Sequence, residues 1–220
     1  QLVLLWPDTF NDHFFPKILH AAADVLDAAG FVVDIPRARV CCGRPVYDFG
    51  MIDRGRRLLA HTLDVLGPYL DARVPVVFAE PSCMAVFLDE LPALFPKSER
   101  AKVLSQSCYT LAEFLEQRAP HAIPRSLDGE TALVHGHCHE KALKKKNLEI
   151  TAKALQRTGL DVEALQTGCC GLAGSFGFER DKYDVSMTVF DGDLAPKLRE
   201  KAGARGERAL VVADGFSCRE

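Results

Sequence analysis

The chain has 220 residues, 48% of them hydrophobic and 26% charged, with a formal net charge of −3. That length fits one or two domains, and the apolar share is enough to bury a core, which excludes a disordered tail or a fibre. The near-zero charge speaks against nucleic-acid binding through phosphate neutralisation, and no apolar run approaches the roughly 20 residues that a membrane helix needs.

Residues 2–5 read as a first strand, ended by Trp6-Pro7-Asp8. No basic stretch precedes this run, so it is not a secretory leader. The chain opens at Gln1 rather than at Met, and we expect a trimmed piece of a longer protein. Asp8 and Asp12 read as surface carboxylates. Residues 16–29 carry Ile18, Leu19, Ala22, Val25 and Leu26 at helical spacing, with Pro16 suited to the first turn and Gly30 to the stop. Residues 31–35 read as a second strand and run into Cys41-Cys42-Gly43. A helix is expected over 52–66, stopped at Gly67-Pro68, and a third strand over 74–79, followed by Glu80-Pro81-Ser82-Cys83. Residues 84–130 join this half to the next and hold Pro92, Pro96, Pro120, Pro124 and a helical piece around 109–118.

The second half repeats the order. A strand over 132–135 ends near Cys138, a helix over 148–158 stops at Gly159, and a strand over 160–165 leads to Cys169-Cys170-Gly171. A helix over 182–202 is interrupted or ended near Pro196, and a strand over 209–213 precedes Asp214-Gly215-Phe216-Ser217-Cys218. From the helix-stopping glycine to the cysteine pair the spacing is 11 positions in one copy and 10 in the other. The repeat predicts an α/β fold of two small units with parallel sheets, residues 1–125 and 126–220, each carrying a Cys-Cys-Gly loop. Sites in such sheets form beyond the carboxyl ends of the strands, and the repeated cysteines fall there.

Eight cysteines stand at positions 41, 42, 83, 108, 138, 169, 170 and 218. Adjacent cysteines bridge only with strain, and without a leader a reducing compartment is expected, so clustered thiols point to metal or redox chemistry. The second copy brings Cys138, Cys169, Cys170 and Cys218 to one loop end, and four thiolates are the protein ligand set of an iron–sulfur cluster. Gly171 lets the backbone turn tightly, and the small residues after it let N–H groups approach cluster sulfurs. Zinc is the structural alternative, although spacings of 31 and 48 supply no paired knuckle. The first copy holds Cys41, Cys42 and Cys83, with Trp6 near the place of an opening cysteine. These are either a second ligand set or three buried thiols. Glu80 is a candidate oxygen ligand or acid–base group. Cys108 belongs to neither copy and reads as a core or surface thiol. His135, His137 and His139 would alternate onto one side of a strand end, as ligands, as groups around the cluster or as backbone partners. Lys141 and Lys144-Lys145-Lys146 read as a solvated helix face or a docking site for an acidic partner or an anion. No Walker A loop and no Gly-x-Ser-x-Gly motif is present.

The two Cys-Cys-Gly sites, together with Leu5-Trp-Pro-Asp-Thr-Phe-Asn-Asp-His-Phe14, Val134-His-Gly-His-Cys-His139, Gly168-Cys-Cys-Gly-Leu-Ala-Gly-Ser-Phe-Gly-Phe178 and Asp214-Gly-Phe-Ser-Cys-Arg219, resemble the CCG (cysteine-rich) domain. That domain occurs in heterodisulfide reductases and in iron–sulfur subunits of glycolate and lactate oxidases. The likeness is closer to the carboxyl-terminal part of large FAD-linked oxidases of the D-lactate and D-2-hydroxyglutarate dehydrogenase type. It implies an oxidoreductase role in electron transfer, with a 4Fe–4S cluster on Cys138, Cys169, Cys170 and Cys218. His135, His137, His139 and Gly171 would lie around that cluster. It further implies FAD elsewhere in the parent protein, flavin and ferredoxin-like domains as partners, and an acceptor such as a quinone. The expected location is the cytoplasm or the inner-membrane periphery, and the isolated chain is expected not to oxidise substrate. In the family each copy runs Cys, Cys-Cys-Gly, Cys-x-x-Cys. Here Trp6 replaces the opening cysteine of the first copy, and Glu80 and Gly215 begin the final motifs, which weakens the case for a cluster on Cys41, Cys42 and Cys83. The alternatives are a docking module with zinc or vestigial thiols, and a substrate site built on thiols and Glu80.

Overall fold

The computed structural model describes residues 1–204 and 209–220, and these divide into two units, Gln1–Ala122 and Ile123–Glu220. Both are α/β units built on parallel sheets, and each carries one Cys-Cys-Gly loop.

In the first unit the elements are β1 (Leu2–Leu5), α1 (Thr9–Phe14), α2 (Pro16–Ala28), β2 (Val32–Asp34), α3 (Arg44–Asp48), α4 (Ile52–Val65), α5 (Gly67–Asp71), β3 (Val76–Phe78), α6 (Pro81–Leu88), α7 (Glu90–Leu94), α8 (Glu99–Gln106), β4 (Cys108–Thr110) and α9 (Leu111–Arg118). The sheet order is β2-β1-β3-β4, with every pair parallel. Strand β1 lies between two neighbours, which explains its unbroken apolar run rather than an alternating one. Helix α2 buries Leu19, Ala22 and Leu26, one stripe at helical spacing, with Pro16 in its first turn. Trp6, Phe78 and Phe87 pack as an aromatic cluster, with the Trp6 and Phe87 ring centroids 4.9 Å apart in an edge-on arrangement.

The stretch 84–130 holds more order than its prolines suggest. Helices α6 to α9 and strand β4 occupy most of it, and β4 extends the sheet by pairing with β3. The helical piece expected from 109 begins instead at Leu111, because Cys108–Thr110 are taken by the strand and the Thr110 hydroxyl caps the helix at the Glu113 N–H. Cys108 is a core thiol that donates to the Leu104 carbonyl at 3.0 Å.

The second unit runs β5 (Thr131–His135), α10 (Cys138–Leu143), α11 (Asn147–Arg157), β6 (Asp161–Leu165), α12 (Tyr183–Gly192), α13 (Leu194–Ala204), β7 (Leu210–Ala213) and α14 (Phe216–Arg219). The sheet order is β6-β5-β7, again parallel, with His135 level with Leu165 on one side and Ala213 on the other. The helix expected over 182–202 is two helices that break at Asp193, three residues before Pro196. Pro196 sits in the first turn of α13, where its missing N–H leaves no helical hydrogen bond unmade. Leu133, Leu165 and Leu194 form the core, with Cys170, Phe190 and Leu198 against it. Among the described residues, no helix is long and apolar enough to cross a membrane.

In both units the central strand is flanked by the two that follow it. The chain therefore crosses from one side of the sheet to the other, and the crevice at such a switch point opens at the carboxyl ends of the strands.

Candidate metal centre

Three strands deliver four thiols in the second unit. Cys138 opens α10 directly after β5, Cys169 and Cys170 follow β6, and Cys218 lies in α14 after β7. The Cys138 thiol interacts with those of Cys169 and Cys170, and Cys170 interacts in turn with Cys169 and Cys218. All four are half-buried and none is bridged.

The turn that presents the pair depends on Gly171. Its φ is +94°, and a Cβ there would stand 2.3 Å from the Ser186 carbonyl oxygen of α12. The Gly171 N–H donates to the Cys169 sulfur at 3.4 Å. The Ser186 hydroxyl in turn donates to the Gly171 carbonyl at 2.9 Å.

The thiols are not equivalent. Cys170 is held down to about 6, first by the hydrogen bond from Cys218 and then by the Leu172 and Ala173 N–H groups, against the effect of burial. It is far better placed than Cys138 to be a thiolate at neutral pH. Cys138 is pushed up by burial and by Cys169 beside it.

The loop entering the pair is clamped. The Lys141 ammonium donates to the Thr167 carbonyl at 2.6 Å and to the Gly168 carbonyl at 3.2 Å. The Gly168 N–H donates to Asp193 at 2.5 Å, and Lys197 donates to the Gln166 carbonyl at 2.6 Å. Hydrogen bonds from Lys197 and then from the Gly168 N–H hold the Asp193 carboxyl below its usual range.

The three histidines do not alternate on one side, because β5 ends at His135 and α10 starts three residues later. His135 is buried, and its Nδ1 lies 2.8 Å from the Thr167 hydroxyl while its Nε2 has no partner. Burial, with Lys141 adding to it, lowers His135 to about 4, so the ring is neutral at pH 7. His137 caps α10 by accepting the His139 N–H at 3.2 Å, and the rings of these two lie 5.1 Å apart. A Cβ at Gly215 would fall 2.2 Å from the His137 ring, so the lack of a side chain at 215 is what admits this histidine. Lys145 and Lys146 are exposed.

The residues of the second unit fit an iron–sulfur cluster in donor chemistry. They offer four thiols at one end of a sheet, backbone N–H groups on two of the sulfurs, and a neutral buried imidazole with an unpartnered nitrogen. Among the described residues, no three His, Cys, Asp or Glu side chains are gathered so as to hold a single metal ion.

The first unit has the same plan with a different filling. The Gly43 N–H donates to the Cys41 sulfur at 3.4 Å, and Gly43 has φ +77°, as in the other copy. Here, however, the Cys42 and Cys83 sulfurs touch at 3.2 Å, both buried, and the Trp6 indole lies near Cys83 with its buried N–H unpartnered. Cys41 is pushed far up, by the hydrogen bond to Cys42 and then by burial. The contact with Cys41 favours the Cys42 thiolate, but Cys83 and burial outweigh it and raise Cys42. Cys42 likewise favours the Cys83 thiolate, but burial and the carboxylates of Glu80 and Asp8 raise it. Three thiols, two of them in contact, and an indole in the fourth place do not fit a four-sulfur ligand set.

Glu80 acts as the cap of α6, accepting from the Ser82 N–H at 3.1 Å and from the Ser82 hydroxyl at 2.6 Å. Asp8 is not a surface carboxylate. It is buried as the cap of α1 and accepts from the Asn11 N–H and side-chain amide at 2.9 and 2.8 Å. Its place just ahead of a short helix was a legible capping signal. The partners of the loop clamp, Thr167 and Asp193, had no such signal, since they are distant in sequence from one another and from Lys141.

The cysteine-rich domain model matches residues 8–87 and 132–216. Lactate utilization protein A of Shouchella clausii is 28% identical over 220 residues, covering 96% of this chain and 86% of that protein. The protein of the same name from Bacillus cytotoxicus is 26% identical over 219 residues, with the same coverage. D-2-hydroxyglutarate dehydrogenase of Pseudomonas putida is 27% identical over 217 residues, covering 99% of this chain but 20% of that enzyme. The family match takes in both repeats and both Cys-Cys-Gly loops, and the chain belongs to the cysteine-rich CCG domain family.

Proposed function

We propose that the chain is an iron–sulfur electron-transfer module that serves a flavin-linked dehydrogenase of 2-hydroxy acids. The observation that carries this reading is the convergence of Cys138, Cys169, Cys170 and Cys218 at the carboxyl ends of three adjacent parallel strands. The substrate class follows the names of the relatives, lactate utilization protein A and D-2-hydroxyglutarate dehydrogenase.

A 4Fe–4S cluster bound there would accept and release single electrons. The chain's own residues then have defined tasks. Cys170, whose proton is loosened by Cys218 and by backbone N–H groups, offers iron a thiolate at neutral pH. Gly171 sets the turn and lends its N–H to a ligand sulfur, a contact that tunes the potential of such centres. Lys141 and Asp193 fix the loop, the first at its carbonyls and the second at the Gly168 N–H. We place no cluster in the first unit. FAD and a ferredoxin-like domain would lie elsewhere in the parent protein, and an acceptor such as a quinone would take the electrons onward.

The test is anaerobic purification with iron supplied, followed by iron and sulfide analysis and EPR of the reduced protein. About four iron and four sulfide per chain are expected, with loss of both in Cys169→Ser. Protein without iron, or with zinc alone, would overturn the reading.

A further inference from the structure

The first unit holds a thiol pair for which an electron-transfer cluster has no use. Cys42 comes from the loop after β2 and Cys83 from the first turn of α6, 41 positions later in sequence. Their sulfurs are 3.2 Å apart, inside van der Waals contact, and both side chains are buried in the same core as Trp6. The remaining neighbours of the pair also fix it. The Trp6 indole lies against Cys83, and Cys41, the partly exposed member, lies against Cys42. Forming a bond from this position requires the two sulfurs to close by about 1 Å.

We propose that Cys42 and Cys83 form a reversible disulfide, so that the first unit carries a two-electron thiol couple. The oxidant is a small-molecule disulfide. One protein thiol attacks it, and a mixed disulfide forms as the first small thiol leaves with a proton. The second protein thiol then attacks the mixed disulfide, and the second small thiol leaves. Two protein S–H bonds and one small-molecule S–S bond are lost, while one protein S–S bond and two small-molecule S–H bonds form. The two electrons lost by the cysteines reside in the released thiols. Cys41 does not compete as the bridging partner, since a bond between adjacent residues is strained. The bond would tie the Cys-Cys-Gly loop to α6 across the end of the sheet. Burial keeps both sulfurs protonated at neutral pH, so exchange is slow and equilibrium is the proper readout.

The test uses the full chain equilibrated in glutathione and glutathione-disulfide mixtures of graded ratio. Samples are quenched in acid, alkylated and digested without reduction for mass spectrometry. A Cys42–Cys83 cross-linked peptide is expected to appear as the ratio becomes oxidising and to disappear on return to a reducing ratio. It should be absent in Cys42→Ala and in Cys83→Ser and retained in Cys108→Ser, whose thiol bonds to a helix carbonyl instead. The wild-type titration needs no variant to fold. Full alkylation of both residues across all ratios would overturn the proposal, as would a Cys41–Cys42 bridge or glutathione captured on Cys41 alone. So would iron retained in Cys169→Ser and lost on a further Cys83→Ser change. The readout is a peptide of the first unit, so it stands or falls independently of the cluster in the second.

Discussion

Replacing Gly171 by alanine adds one methyl group to the turn that presents Cys169 and Cys170, and the same change at Gly43 is its internal control. Both glycines follow a cysteine pair and both have positive φ, +94° and +77°. An alanine in the left-handed region costs about 1–2 kcal/mol, and its stiffer unfolded chain returns about 0.4–1 kcal/mol. Around Gly43 the new Cβ would meet the Gly55 carbonyl oxygen at 3.5 Å, an ordinary contact, so about 1 kcal/mol is the whole cost. Around Gly171 it would meet the Ser186 oxygen at 2.3 Å and the Phe190 nitrogen at 3.2 Å. Both are backbone atoms of α12 and cannot rotate away, which adds an overpacking cost of about 1–3 kcal/mol. Gly171→Ala should therefore cost about 2–4 kcal/mol in the second unit. The assay is guanidinium unfolding of the metal-free protein, read by hydrogen exchange in peptides of each unit so that each reports its own stability. Equal losses for the two alanine variants would refute the reasoning, since backbone conformation alone would then explain both.

Other outcomes follow from the same geometry. In metal-free protein, iodoacetamide should modify Cys170 faster than Cys138 at pH 7. That rate should fall as the pH drops through about 6, the value to which Cys218 and the backbone N–H groups lower it; a midpoint near that of an ordinary thiol would refute the assignment. Lys141→Met removes the donor to the Thr167 and Gly168 carbonyls, so hydrogen exchange over 166–171 should quicken, and Lys141→Arg should restore part of the protection. Arg44 and Glu90 form a largely buried ion pair at 2.6 Å. Arg44→Met should cost about 2–3 kcal/mol by leaving a charge unpaired, and adding Glu90→Leu should recover much of it in chemical denaturation. Phe87→Ala, which empties a site between Trp6 and Phe78, should cost about 3–5 kcal/mol in the first unit, and a loss below 1 kcal/mol would show that the aromatic cluster collapses without strain.

Much of this was legible in the sequence. The apolar run at 2–5, the helical stripe of Leu19, Ala22 and Leu26 and the two Cys-Cys-Gly tripeptides fix strands, helices and their repeat, because each is a local pattern with its own period or turn requirement. The position of the thiols at strand ends follows from that order alone. Strand β4 was hidden because three residues, Cys108–Thr110, carry too little periodicity to be told from the start of a helix. The interruption expected near Pro196 falls at Asp193, because proline is as welcome in a first turn as it is unwelcome in a helix interior.

The two copies differ chemically in ways that only tertiary packing reveals. Sequence places three cysteines in one copy and four in the other. The fold decides that Cys42 and Cys83 touch inside a core sealed by Trp6, whereas Cys138, Cys169, Cys170 and Cys218 stay half-buried at a sheet end. It also decides that Gly215 makes room for the His137 ring, and that Lys141 in α10 and Asp193 at the break between α12 and α13 grip one loop. Such pairings join residues tens of positions apart, and local propensity is blind to them. They are set by which strands lie side by side and which side chains the sheet end then leaves facing one another.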